Sequence, residues 1–136
     1  MKTLTEYCTG ILMGPSLAEK LSIEEIDFSA VTPGLNALPD LPGRPPELQF
    51  NSRKSVTLPS ISDLEDERQR GILLHFFLNH ELLALELMAL MLLRYPEAPV
   101  SFQRGLVKTM KDAESLKKKE KRKILSFRSC GTNFNT

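Results

Sequence analysis

The sequence predicts an all-α protein: an antiparallel helical hairpin preceded by a proline-rich, extended N-terminal arm. Three observations predict it. Residues 71–95, GILLHFFLNHELLALELMALMLLRY, form a long apolar run broken chiefly by His75, the triplet Asn79-His80-Glu81, and Glu86. The turn PEAP at 96–99 follows at once, and beyond it the apolar residues recur at helical spacing. Seven of the nine prolines (Pro15, Pro33, Pro39, Pro42, Pro45, Pro46 and Pro59) fall in the first sixty residues, and proline removes a backbone donor while fixing φ.

Residues 1–60 therefore read as an arm rather than as a domain. Short helices fit at Leu4–Met13 and at Pro15–Leu21, where proline is tolerated in a first turn. The stretch LPDLPGRPP at 38–46 is expected to be extended or turning. Leu35, Leu38, Leu41 and Leu48 suggest that the arm lies along a surface.

The hairpin occupies residues 61–116. Its first helix is expected over Ser62–Tyr95, about 50 Å long at ~1.5 Å per residue. Ser62 can cap it, Asp63, Glu65 and Asp66 suit the positive end of the helix dipole, and Pro96 stops it. Gly71 is a weak point inside it, costing about 1 kcal/mol against alanine. Ser101 can cap a second helix whose stripe is Phe102, Leu106, Met110, Ala113 and Leu116. So short a turn makes the two helices antiparallel neighbours. From Lys117 the pattern fails, and residues 117–136 read as a basic, frayed tail.

Composition narrows the function. The net charge is +1, which gives no global pull toward nucleic acid or membrane. The run KKKEKRK at 117–123 is basic, but it lacks interleaved aromatics and reads as a solvated helix end. Cys8 and Cys130 make neither a disulfide framework nor a zinc site, so reduced thiols and a cytoplasmic location are expected. A spanning reading of 72–93 meets two carboxylates, two histidines and an asparagine, and each carboxylate at a bilayer centre costs roughly 2.5–3.5 kcal/mol. A buried bundle helix is expected instead.

Burial makes those polar residues informative, because an unpaired buried charge costs several kcal/mol. At about 100° per residue, His75, Asn79 and Glu86 share a stripe with Leu82, Ala89 and Leu93, whereas Glu81 and His80 point elsewhere. One helix cannot gather all five into one site. Glu86, His75 and Asn79 could instead be hydrogen-bonded inside the bundle, with Arg68 or Arg94 as partners at its ends.

The wording HELLALELMALMLLRYPEAPVSFQRGL, with ILMGPSLAEKL and LPGRPP upstream, resembles an uncharacterised bacterial ferritin-like family, a domain of unknown function. The resemblance implies a four-helix bundle with a two-metal carboxylate site. Each of two helices would give it one glutamate, and each of the other two a Glu-x-x-His. Glu81-Leu82-Leu83-Ala84 looks like the first-helix motif, and Glu86-Leu87-Met88-Ala89 has the same form. Asp112 or Glu114 stands where the second-helix carboxylate would be. No histidine follows position 80, so this chain is similar to a truncated or degenerate member. The resemblance implies Glu81, Glu86, Asp112 and Glu114 as a degenerate metal-ligand set for iron or manganese. With two chains supplying four carboxylates and no imidazole, harder ions such as Mn(II) or Mg(II) are favoured.

Two functions follow as expectations. The first is a ferritin-like protein of unknown activity, non-catalytic as this chain stands. The alternative is a di-metal carboxylate protein of oxidoreductase type, active only as a dimer or at full length. Two helices bury too little surface to stand alone, so an apolar face including Leu73, Phe76, Phe77, Leu83, Leu87 and Leu90 is expected to seek a homodimer partner.

Overall fold

The computed structural model describes residues 1–21, 24–30, 38–48 and 57–129. Side chains from Leu116 onward, except Arg122, lie outside the description, as do Leu35, Pro33 and Cys130 named above.

The chain opens with a two-residue strand, β1 (Lys2–Thr3), and turns directly into helix α1 (Leu4–Met13). Thr3 caps α1 by accepting from Glu6 N, while the Glu6 carboxylate accepts from Thr3 N at 2.9 Å. That reciprocal pair fixes the helix start. A short helix, α2 (Leu17–Lys20), follows under a Ser16 cap. Strand β2 (Ile26–Asp27) then returns to pair in parallel with β1, Lys2 opposite Ile26 and Thr3 opposite Asp27. The described residues are thus mostly helical, with one minimal parallel pair that the all-α expectation omitted.

Helix α3 (Glu67–Arg94) is the central rod. It begins later than the sequence suggested. Residues Ile61–Glu65 form a 3₁₀ turn, stabilised where Ser60 donates from N and Oγ to Asp63 Oδ2. Asp66 is extended, and its carboxylate accepts from Arg68 N at 3.0 Å. Asp66 rather than Ser62 is therefore the cap. Helix α4 (Val100–Ser129) folds back along α3 and stays helical past Lys117, where the sequence pattern ends.

The largest departure concerns the arm. Leu4, Tyr7, Cys8, Ile11 and Leu12 are all buried, and they share one core with Leu85, Ala89, Leu92 and Leu93 of α3 and Val107 and Met110 of α4. Their spacing marks an amphipathic helix. The first twenty-one residues are consequently a third core element, not an arm on a surface. Leu48 is buried and Leu38 packs on the core, whereas Leu41 is exposed.

α3 is long and apolar enough to cross a membrane, but part of it is packed inside this fold.

Candidate functional site

Glu86 sits in the middle of α3 and is 2 % exposed. A carboxylate there needs positive partners, and both come from the proline-rich segment. Arg44 grips it side-on: Nε donates to Oε1 at 3.0 Å and to Oε2 at 3.2 Å, and Nη2 donates to Oε2 at 2.7 Å. Lys20 donates from Nζ to Oε1 at 3.1 Å. Arg44 also donates through Nη1 to Leu48 O and to Asn79 Oδ1.

Local structure delivers each cation. Gly43 donates from its backbone N to Leu12 O at 2.9 Å, and a Cβ placed on it would lie 2.2 Å from Met13 O. Only glycine allows that approach, and it carries Arg44 inward. Gly14 ends α1 in a similar squeeze, where a Cβ would lie 2.5 Å from Gly10 O and 3.2 Å from the Lys20 side chain. The turn at Gly14 brings α2 back so that Lys20 Nζ donates to Ile11 O at 2.6 Å and to Leu12 O at 3.3 Å. Those carbonyls belong to the last turn of α1, whose partial negative charge favours a cation.

The ammonium has three protons and three acceptors, so Lys20 is satisfied as a cation. Burial nonetheless lowers its pKa; the hydrogen bond and charge of Glu86 oppose that shift, and the nearby Arg44 adds to it. Both Glu86 oxygens are occupied by donors, which leaves the carboxylate no open face for a metal.

A second polar pair lies between α1 and α4. Tyr7 Oη donates to Glu114 Oε1 at 2.7 Å, both groups being buried. Burial, reinforced by the Glu114 hydrogen bond and charge, raises the phenol far above its ordinary range. Cys8 beside it is fully buried, and that burial pushes its thiol up to about 12.

The four carboxylates the resemblance singled out differ in their surroundings. Glu86 belongs to the Lys20–Arg44 cluster and Glu114 to Tyr7, while Asp112 is exposed. Glu81 is half-buried, and its Oε2 is buried without a hydrogen-bond partner among the described residues. Among the described residues no three His, Cys, Asp or Glu side chains are grouped to hold a metal. An open surface groove of about 430 Å³ is lined by Phe28, Pro96 and Gln103 among others, and none of the four carboxylates borders it.

Sequence reasoning missed both cations. It placed Glu86 with Arg68 or Arg94, which are exposed near the two ends of α3. The signal was present in the segments quoted above, since ILMGPSLAEKL holds Lys20 and LPGRPP holds Arg44. The same span decides the affiliation, because the family described as protein of unknown function (DUF455) matches residues 13–116.

The chain belongs to this family. The matched span holds Lys20, Arg44, Glu86 and Glu114 of this DUF455 member, but not Tyr7. No curated protein and no solved structure matches the chain.

Proposed function

We propose that this DUF455 chain is a ferritin-like helical module that does not itself catalyse a reaction and acts from the cytoplasm by presenting a helical surface. The occupancy of Glu86 carries the reading. The buried carboxylate most central to α3 is held by a guanidinium and an ammonium, and such a cluster locks helices together rather than offering ligands. The lack of any imidazole after position 80 supports the same view, because a Glu-x-x-His cannot be built from α4.

A second reading is favoured by one atom. Oε2 of Glu81 is buried without a hydrogen-bond partner among the described residues, a costly state that a bound cation would relieve. Glu81 lies about one helical turn beyond Leu85, and Glu114 about one turn beyond Met110, as counted away from the α3–α4 turn. Two chains could bring two such pairs together around iron or manganese.

Metal analysis of purified protein separates the readings. Sub-stoichiometric iron and manganese, unchanged by Glu81→Ala, is expected. Stoichiometric metal that is lost on Glu81→Ala or Glu114→Ala would replace the first reading with the second.

A further inference from the structure

α1 and α4 pack on α3, yet another side of α3 carries a continuous row of side chains directed outward. Leu73, Phe77, His80, Ala84, Leu87 and Met91 succeed one another by four and three residues in strict alternation. Phe77 is 46 %, Leu87 57 % and Met91 42 % exposed; His80 and Ala84 are also exposed, and Leu73 is half-buried. A mean step of 3.5 residues is the spacing at which one helix keeps a seam against another. We propose that this row is a self-association seam, which pairs α3 with α3 of a second copy in antiparallel orientation.

Size complementarity selects the second copy and the direction. An antiparallel pair centred near Leu82 sets Leu73 against Met91, Phe77 against Leu87, and His80 against Ala84. The imidazole thus meets the smallest side chain of the row, twice per dimer. A parallel pair would instead set His80 on His80 and Ala84 on Ala84, crowding one layer and hollowing the other.

Charge at the ends agrees. α3 starts with exposed Asp66 and Glu67 and finishes with exposed Arg94, so this register sets each Arg94 level with Arg70 of the other copy, about one helical turn from its acidic start, and opposes the two helix dipoles. Arg70 is directed away from that junction, donating to Leu64 O at 2.9 Å and Glu65 O at 3.1 Å. The centre is already ordered, because His80 Nδ1 donates to Phe76 O at 3.1 Å and its ring lies 4.1 Å from that of Phe76. Less side-chain freedom then remains to be lost on association. A lipid surface would require neither the alternating spacing nor a histidine at its midpoint.

Sedimentation equilibrium of the full chain tests the proposal. A dimer is expected at micromolar concentration. Phe77→Glu and, separately, Leu87→Glu should each raise its dissociation constant about 100-fold or more, since each buries an unpaired charge, with unchanged circular dichroism. In a Cys130→Ser background, His80→Cys with Ala84→Cys should cross-link two chains, whereas His80→Cys alone should not. A monomer at 100-fold higher concentration than ~1 µM, a dimer indifferent to both charges, or cross-linking by His80→Cys alone would overturn it. So would a monomer that floats with phosphatidylcholine vesicles, which would assign the row to a bilayer. Metal content does not enter this test, so its outcome is independent of the function proposed above.

Discussion

Replacing Glu86 with leucine isolates the central ion cluster. The change is close to volume-conserving, so packing is little disturbed. What it removes is the acceptor for Lys20 Nζ and for Arg44 Nε and Nη2, leaving two cations side by side in the core. Stripping the counter-charge from a buried pair costs about 3–5 kcal/mol, a large part of the ~5–15 kcal/mol that holds a domain of this size. With a urea dependence of about 1.5 kcal/mol per molar, the unfolding midpoint should fall by about 2–3 M. The pH dependence gives a second reading of the same defect. Without Glu86 the forces lowering the Lys20 pKa act unopposed. The unfolded chain then binds the proton more tightly than the fold, so the deficit should narrow as pH rises toward the ordinary lysine value. Urea titrations followed by far-ultraviolet circular dichroism at pH 7 and pH 9.5 would measure both effects. A midpoint within about 0.3 M of the parent at pH 7 would refute the view that this cluster locks the helices.

Three further outcomes are expected. Gly43→Ala should cost more than about 2 kcal/mol by thermal or urea unfolding, because a Cβ at 2.2 Å from Met13 O forces the Arg44 loop outward. Glu81→Leu should leave stability unchanged or raise it by about 1 kcal/mol, since it deletes a buried oxygen without a partner; clear destabilisation would show that the carboxylate has a cation or a donor. Cys8 should resist thiol reagents in the folded state and react once unfolded. Its pKa is raised from an ordinary 9.0 to about 12. Its contribution is therefore intact below pH 9 and lost as pH climbs through that window, and Cys8→Ala should flatten this alkaline loss.

Much of the backbone plan was legible because it depends on local rules. Leu4–Met13 was readable as a helix, and the PEAP turn marked the break between α3 and α4. The start of α3 was misplaced because Ser60, Ser62, Asp63 and Asp66 offer competing caps, and the chain uses one set for a 3₁₀ turn before Asp66 begins the α-helix. The small parallel pair was unreadable for a different reason: two residues per strand leave no period to detect. The candidate site divides in the same way. That Glu86 requires a buried partner follows from helical geometry alone. Which cation answers it depends on Gly14 and Gly43 folding distant segments onto α3, a tertiary event with no local signature beyond glycines beside prolines. The proline content was misleading, since it marks tight corners that insert Lys20 and Arg44 rather than a loose covering strand.

The trio of Lys20, Arg44 and Glu86 also constrains how this chain can vary. Losing Glu86 strands two cations in a dry interior, whereas exchanging all three for oily side chains can leave the fold intact. Stepwise drift must cross a valley that a concerted change avoids. Arginine cannot stand in for Lys20 either, because a flat fork does not fit the two α1 carbonyls and the carboxylate that surround a rounded ammonium. Three positions scattered across sixty-six residues of sequence are thereby bound to a common fate.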